Sequence, residues 1–117
     1  MSLLDDVREN LKRGILEMLI LKLLTQEDMY GYQMKCKLNE MSDNMLCIKE
    51  GTLYGPLYRL IDKGCISERK EMAGQRRVRV YYHIEDAGRD YLKTLIIEYN
   101  AITSNVLKIV NGDNNEQ

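Results

Sequence analysis

The residues that could support covalent or acid–base chemistry are few and widely separated. The chain has one histidine, His83, and three cysteines, Cys36, Cys47 and Cys65. A catalytic nucleophile needs a base within hydrogen-bonding reach, and no serine, cysteine or carboxylate set is spaced around His83 for that purpose. The cysteines form no C-x-x-C pair, which argues against a zinc site or a disulfide framework. We therefore predict a protein that is not an enzyme, that holds no metal or cofactor, and whose three free thiols are buried.

Basic side chains, by contrast, are concentrated in one short stretch. Between residues 69 and 79 there is a single acid, Glu71. The basic residues of this stretch are Arg69, Lys70, Arg76, Arg77 and Arg79. Like charges held this close repel each other unless an anion approaches, and nucleic-acid phosphates are the obvious candidates. The alternative is a solvated face, since charges on strand edges also protect against aggregation.

The overall charge of −1 conceals an uneven distribution. Residues 12–80 carry 13 basic and 9 acidic side chains, a net of +4. Residues 1–11 carry 1 and 3, a net of −2, and residues 81–117 carry 3 and 6, a net of −3. The positive middle of the chain is therefore the part suited to an anionic partner.

Length and composition limit the class of protein. The 117 residues are enough for one domain, and 44% hydrophobic and 30% charged residues are typical of a folded chain. The longest apolar run, residues 18–21, is far shorter than the roughly 20 residues of a membrane span. The first residues are acidic where a secretory signal would be basic. These features predict a cytoplasmic protein.

Hydrophobic periodicity predicts three helices in the first half of the chain. They run from about Leu4 to Leu24, from about Tyr30 to Met41 and from about Gly51 to Lys63. Pro56 falls about five residues into the third helix, where we expect its missing backbone N–H to cost little. Gly64 is placed as the residue that ends this helix.

The periodicity changes to two after the third helix. Residues 78–84 alternate apolar and polar side chains, which predicts a strand. Residues 66–72 can form its partner, with residues 73–76 as the hairpin loop.

The last predicted helix, from about Asp86 to Val110, is unusually long. Its apolar residues recur every seven positions, as in a coiled-coil seam. Roughly 25 helical residues span about 37 Å, more than one small core can cover. We therefore predict a homodimer formed by this helix and the first one. The predicted interface residues are Leu4, Val7, Leu11, Leu92, Leu95, Tyr99, Ile102 and Val106. Ile15 and Ile96 face the same way, and the interface could be solid or could enclose a cavity.

Three helices, a hairpin and a long helix predict a mainly α fold with a small β-hairpin, a winged helix-turn-helix with a C-terminal dimerisation helix. In such folds the third helix enters the major groove and the hairpin contacts the adjacent backbone. The predicted DNA-binding residues are Lys35, Lys49, Thr52, Tyr54, Tyr58, Arg59, Gln75, Arg76 and Arg77, with Lys37 a weaker candidate. Thr52 and Tyr54 would meet phosphates, and Arg59 a guanine edge or a phosphate. Either Tyr54 or Tyr58 could instead pack in the core.

Tyr30 and Tyr32 flank Gly31 at the start of the second helix. A stacking ligand between the rings is conceivable. We expect instead that both rings pack in the helix-turn-helix core and leave their hydroxyl groups in water.

Short motifs along residues 11–90 occur in the order and spacing of a known family. The motifs are Arg13-Gly14-Ile15-Leu16, Tyr30-Gly31-Tyr32, Glu50-Gly51-Thr52-Leu53-Tyr54, Arg59-Leu60, Gly64-Cys65-Ile66, Arg76-Arg77, Tyr81-Tyr82 and Ala87-Gly88-Arg89. In these motifs the chain resembles the PadR family of bacterial transcriptional regulators, in particular its short subgroup with one C-terminal helix. The resemblance implies a homodimeric repressor that binds a palindromic operator and is released by a small molecule or another signal.

Three features depart from the pattern of that family. Gly55 stands where proline often follows the Leu-Tyr pair, and Pro56 comes one residue later, which would shift the first turn of the third helix. Glu85 replaces a threonine that would cap the last helix, so we expect the N-cap to be weaker or to move. The chain lacks Trp and Phe, which disfavours a flat ligand sandwiched between aromatic rings at the dimer centre.

Two other functions are compatible with the same elements. One is a dimeric sensor or protein-interaction module that does not bind an operator, which the near-neutral charge favours. Another is a thiol redox sensor, because Cys47 and Cys65 flank the third helix, although it needs an exposed thiolate of low pKa. The predicted organisation is a DNA-binding domain over residues 1–84, a dimerisation helix over 85–111 and a disordered tail over 112–117.

Overall fold

The predicted order of elements is present in the structure. The computed structural model describes residues 3, 4, 7, 12 and 14–112. Its elements are α1 Leu16–Leu24, β1 Met29–Tyr30, α2 Gly31–Met41, α3 Glu50–Asp62, β2 Ile66–Met72, β3 Val78–Ile84 and α4 Asp86–Val110. The fold is the predicted winged helix-turn-helix with a long last helix. Leu11 and residues 113–117, which carry parts of the interface and tail predictions, lie outside the described residues.

The first helix does not run unbroken from Leu4 to Leu24, so that prediction is wrong at its centre. The chain turns at Gly14 and Ile15, where the Ile15 N–H donates to the Lys12 carbonyl at 3.0 Å. α1 begins only at Leu16. Glycine has little helix propensity, and this accounts for the interruption.

The core lies where α1, α2 and α3 meet the sheet. α1 is buried on several sides, as its apolar composition predicts. The largest fully buried side chains are Ile20, Leu21, Leu24, Met29, Met34, Leu53, Leu57 and Leu60. Tyr82 and Ile84 of β3 and Leu92 of α4 close this core from the other side.

The sheet has three strands rather than the predicted two. Its antiparallel order is β1-β3-β2, and β1 adds Met29 opposite Tyr82 and Tyr30 opposite Tyr81. A two-residue strand has no periodicity to detect, so only its pairing in space defines it. The predicted hairpin strands are confirmed, and their loop is one residue longer than expected, from residue 73 to 77.

α3 begins one residue earlier than predicted, at Glu50. Pro56 is therefore the seventh residue of the helix rather than about the fifth, and the expectation that it lies near the unpaired first turn is wrong. It lacks the N–H that would bond the Thr52 carbonyl, and its ring is buried. The helix ends as predicted at Gly64, with φ +74°. Gly64 and Cys65 donate to the carbonyls of residues 61 and 60, which is a Schellman motif.

α4 has the predicted bounds and approaches the core closely at Gly88. A Cβ at this position would lie 2.2 Å from the Cys65 carbonyl oxygen, which explains a glycine in a helix. Glu85, at the N-cap, makes no capping hydrogen bond, in keeping with the expected weak cap. Its carboxylate instead accepts a hydrogen bond from Ser67.

The molecule is elongated because α4 extends beyond the core. The principal extents are 66 × 36 × 21 Å, and the radius of gyration is 16.8 Å. A compact chain of this size would have about 13 Å. The buried residues of α4 are Gly88 and Leu92, both in its first two turns. Beyond Leu92, no residue of this helix is buried in the part of the chain that the structure describes.

The prediction that all three cysteines are buried is wrong for two of them. Cys65 is buried, and burial raises the pKa of its thiol. Cys36 and Cys47 are exposed. The Cys47 thiol donates to the Asn44 carbonyl at 2.9 Å in the turn between α2 and α3.

Candidate nucleic-acid interface

The outward face of α3 is a continuous exposed surface. Burial of Leu53, Pro56, Leu57 and Leu60 fixes the opposite side of the helix in the core. The exposed residues are Gly51, Thr52, Gly55, Tyr58, Arg59 and Asp62. Three of the predicted DNA-binding residues therefore share one face. The Tyr58 side chain is 65% exposed, so its alternative placement in the core is wrong.

Tyr54 is half-buried at the edge of this face, between α2 and α3. Its hydroxyl donates to Glu50 Oε2 at 2.6 Å. This hydrogen bond and partial burial raise the pKa of Tyr54 to about 12. A Cβ on Gly31 would lie 2.9 Å from the hydroxyl oxygen, so the glycine makes room for the ring. Tyr54 thus helps to pack the two helices, and its contact with phosphate stays a prediction.

Arg59 is held on the other edge of α3 by Glu17 of α1. Its Nε donates to Glu17 Oε2 at 2.8 Å, and Lys63 Nζ donates to Oε1 of the same carboxylate at 2.9 Å. Lys63 also donates to the Tyr91 hydroxyl of α4 at 2.9 Å. Partial burial alone would raise the pKa of Glu17, but the bonds from Arg59 and Lys63 outweigh it, so the pKa lies below its usual value.

The hairpin lies next to the start of α3. A cleft of about 200 Å³ is lined both by Glu50 and Tyr54 and by residues 78–80 and 82 of β3. At the tip, the loop is closed by the Ala73 N–H donating to the Arg77 carbonyl at 2.8 Å. Gln75, Arg76 and Arg77 are exposed there. Within residues 14–112, neither Arg76 nor Arg77 forms an ion pair.

The other arginines of the hairpin are engaged within the chain. Arg69 forms ion pairs with Asp28 and Glu71, and its guanidinium lies 5.2 Å from the centre of the Tyr81 ring. Arg79 lies 4.4 Å from the centre of the Tyr30 ring. Of the five basic residues noted in this stretch, Arg76 and Arg77 are therefore the best placed for an external anion, together with exposed Lys70.

Asp28 connects the turn after α1 to the sheet. It contacts His83 Nδ1 at 2.8 Å and also binds Arg69. Slight burial would raise the pKa of Asp28, but the hydrogen bonds from His83 and Arg69 lower it overall. The single histidine therefore takes part in a contact that connects the segment after α1 to β3.

The predicted lysines lie at the margins of the site. Lys49 is exposed at the start of α3, and Lys37 is exposed on α2. Lys35 is half-buried, with its Nζ 4.6 Å from the centre of the Tyr32 ring. That ring is half exposed, so the expectation that Tyr32 packs in the core is wrong. Tyr30 does pack, edge-on against Tyr81 with ring centres 5.3 Å apart.

The residues predicted for the dimer interface fall into two groups. Leu92 is only 6% exposed and belongs to the core of its own chain, so little of it is left for a second copy. Leu95 packs partly against the same core. The exposed members are Leu4, Val7, Tyr99, Ile102 and Val106. Ile96 is exposed beside them, and Ile15 is half-buried.

An apolar groove of about 540 Å³ adjoins the exposed half of α4. It is lined by Lys12, Ile15, Met45, Leu46, Tyr99, Ile102, Thr103, Val106 and Leu107. Lys12 is buried at its edge, and its Nζ donates to the Leu46 carbonyl at 2.6 Å. The groove therefore joins the predicted dimer face to the turn that precedes α3.

Glu17 was not among the predicted site residues, although it holds Arg59 and Lys63 at the edge of the α3 face. Glu17 interrupts an apolar helix, and an isolated acid in such a run is a signal that a partner lies nearby. Its partners, 42 and 46 positions away, are set only by the fold.

Comparison with known proteins places this arrangement in a family. The model of the transcriptional regulator PadR-like family matches residues 20–94, well over half of the chain. The chain belongs to the PadR-like family of transcriptional regulators. The match spans α3, the hairpin and the first turns of α4.

One sequence relative and two solved structures illustrate what the chain is similar to. An uncharacterized protein of Lysinibacillus sphaericus is 34% identical over 93 residues, which cover 80% of this chain and 85% of the relative. A transcriptional regulator from Clostridium thermocellum is 30% identical, with a TM-score of 0.76 over 94% of this chain and 98% of its own. Bacillus subtilis PadR in complex with operator DNA is 26% identical, with a TM-score of 0.65 over 71% of this chain and 47% of its own.

Two further properties apply to the described part of this PadR-like chain. None of its helices is long and apolar enough to cross a membrane. The described side chains also include no group of three or more His, Cys, Asp or Glu residues placed to hold a metal ion.

Proposed function

We propose that this PadR-like protein is a homodimeric, sequence-specific DNA-binding regulator, and that it represses transcription from a palindromic operator. The observation that carries the proposal is the pairing of an exposed α3 face with a hairpin tip whose two arginines have no ion pair in the described chain. The capture of Bacillus subtilis PadR on operator DNA supports the same activity here. Since this activity requires access to DNA, we also propose a cytoplasmic location.

The two parts of the interface have different roles in the proposal. A helix face can reach base edges in the major groove, so α3 supplies the sequence preference. Flexible arginines at a hairpin tip contact phosphates, which position the protein without reading sequence. Gln75, Arg76 and Arg77 are therefore assigned to the backbone, and Thr52, Tyr58 and Arg59 to the groove, with Tyr54, Lys35 and Lys49 at the flanks.

The exposed apolar half of α4 supports the proposed homodimer. Tyr99, Ile102 and Val106 lie on one side of the helix and are all exposed. Contiguous exposed apolar surface of this kind marks an interaction site, and a second copy offers a matching seam. A two-fold dimer presents two α3 helices, which matches a palindrome with half-sites about one helical turn apart. A dimer bound across a promoter would exclude polymerase, and an effector in the α4 groove would alter the spacing of the two α3 helices.

The wing is tested by replacing both tip arginines. Arg76→Ala with Arg77→Ala should weaken binding to every duplex and reduce the slope of log K against log salt by about 2, since each lost phosphate contact removes about 1. Binding is measured by fluorescence anisotropy on a duplex selected from a random-sequence library and on a scrambled duplex. The matched control is Lys93→Ala with Lys108→Ala, which removes two exposed cations from α4 instead.

The outcomes separate the hypotheses. Selection that yields no preferred duplex, with no salt-dependent binding, would sink the proposed function in favour of an interaction module without an operator. A double arginine variant that keeps the parent slope would show that the hairpin is not the phosphate-binding element.

A further inference from the structure

We infer that Arg59 reads a guanine base edge and that Glu17 is the positioning residue that aims its guanidinium. This inference rests on the proposed function, because it assigns one base contact within that interface. It adds to the proposal that a residue of α1, outside the groove-binding helix α3, determines which DNA sequence is preferred.

Glu17 binds one of the three nitrogen atoms of the Arg59 guanidinium, the one nearest the aliphatic part of the side chain. Its Oε2 accepts from Nε of Arg59 at 2.8 Å. The guanidinium carries five N–H donors, and four of them belong to the two Nη groups. Within residues 14–112, neither Nη group donates to another side chain or carbonyl. Glu17 therefore fixes the base of the fork and leaves its two outer arms available.

The second observation is where those arms lie. Arg59 Nη1 is 3.6 Å from the position that a Cβ of Gly55 would occupy, at the middle of the exposed α3 face. The guanidinium thus extends from the edge of α3 over its centre, one turn toward its start. The side chain is still 53% exposed. The absence of a side chain at Gly55 leaves space for the fork and for an approaching base pair.

The third observation is the balance of charge. An unpaired carboxylate near DNA would repel phosphates, but Glu17 is also bound by Lys63 at 2.9 Å. One acid with two cations leaves the cluster positive by one charge. A guanidinium held at Nε presents two parallel donors, the arrangement that matches guanine O6 and N7, whereas a phosphate could be bound as well by a mobile lysine.

The experiment uses the full-length chain and the duplex selected for the proposed function. A second duplex carries 7-deazaguanine in place of guanine, one position at a time, which removes only N7. One such position should weaken wild-type binding by roughly fivefold or more, and should have no such effect on Arg59→Ala. The effect of 7-deazaguanine is the first quantity measured. The second is the preference of the protein for the selected duplex, given as the ratio of its affinities for the selected and the scrambled duplex.

Glu17 is tested by that preference, because partial unfolding lowers binding to both duplexes alike. Glu17→Ala should reduce the preference roughly fivefold or more and abolish the effect of 7-deazaguanine. Glu17→Gln keeps an acceptor oxygen. It should therefore recover part of the duplex preference and part of the sensitivity to 7-deazaguanine. The matched control is Glu27→Ala, which removes an exposed carboxylate from the segment between α1 and β1, away from this cluster, and should leave both quantities unchanged.

Each result has one meaning. A wild type that binds no duplex contradicts the proposed function itself. A wild type that binds, with Glu17→Ala keeping its preference, overturns the positioning role alone. Equal sensitivity of wild type and Arg59→Ala to 7-deazaguanine overturns the assignment of Arg59 to guanine.

Discussion

At the scale of one residue, we expect Gly55 to favour binding at the expense of stability. It lies inside α3 on the exposed face. Apart from the adjoining residues and the local helix backbone, the described atom within 4 Å of an added Cβ is Arg59 Nη1, at an ordinary contact distance of 3.6 Å. Nothing in the packing therefore requires a glycine here. In an exposed helix interior glycine costs about 1 kcal/mol relative to alanine.

Gly55→Ala should consequently stabilise the fold and impair function. We expect the free energy of unfolding to rise by about 0.5–1 kcal/mol, because alanine has the higher helix propensity. Binding to the selected duplex should weaken, because a methyl group occupies the space of close approach. Urea unfolding and anisotropy on the same preparation measure the two effects. A variant that is stabilised and still binds as well as wild type would remove Gly55 from the interface.

At the scale of elements, Gly31 and Tyr54 make a close contact between α2 and α3. The Tyr54 hydroxyl lies against the backbone of Gly31, and an added Cβ would approach it to 2.9 Å. Gly31→Ala should therefore lower the free energy of unfolding by about 1–3 kcal/mol, as expected for overpacking. Tyr54→Phe removes the clashing oxygen, so Gly31→Ala should cost much less in that background.

A double-mutant cycle by urea unfolding measures this coupling. If Gly31→Ala has the same cost with tyrosine and with phenylalanine at position 54, the hydroxyl is not the cause. Tyr54→Phe alone also leaves the Glu50 carboxylate without its donor, and the cycle subtracts that contribution.

At the scale of the whole molecule, the uncovered half of α4 should decide the oligomeric state. Ile102 and Val106 are one turn apart and both exposed. Ile102→Glu with Val106→Glu places charges on a face that we expect to be buried between two chains. The variant should be monomeric by light scattering and should lose tight binding to a palindrome, since one α3 helix alone contacts one half-site.

The control for this prediction is Ser104→Glu, which adds a charge to the same helix away from the seam and should leave the dimer intact. A dimer that survives both glutamates would show that the chains pair through another surface. In that case α4 would need a different partner for its apolar side.

What the sequence determined by itself is the local order of the chain. Periods of 3.6 and 2 predicted α2, α3, the hairpin and α4 to within a residue or two, because regular elements arise from repeated local interactions. Gly64 was identified as a helix end because only glycine readily adopts its left-handed backbone. The chemical character of the hairpin tip was also visible, since Arg76 and Arg77 are adjacent in the sequence.

What only the tertiary structure decided is every relation between distant residues. β1 is a strand because Tyr30 pairs with Tyr81 of β3. Two residues are too few to show a periodicity from which a strand could be predicted. Arg69 and Arg79 look equivalent to Arg76 in the sequence, yet Asp28 and Tyr30 engage them in the fold. Glu17 and Arg59 meet across 42 positions. Such contacts depend on how the elements pack, and packing is a property of the whole chain rather than of any local stretch.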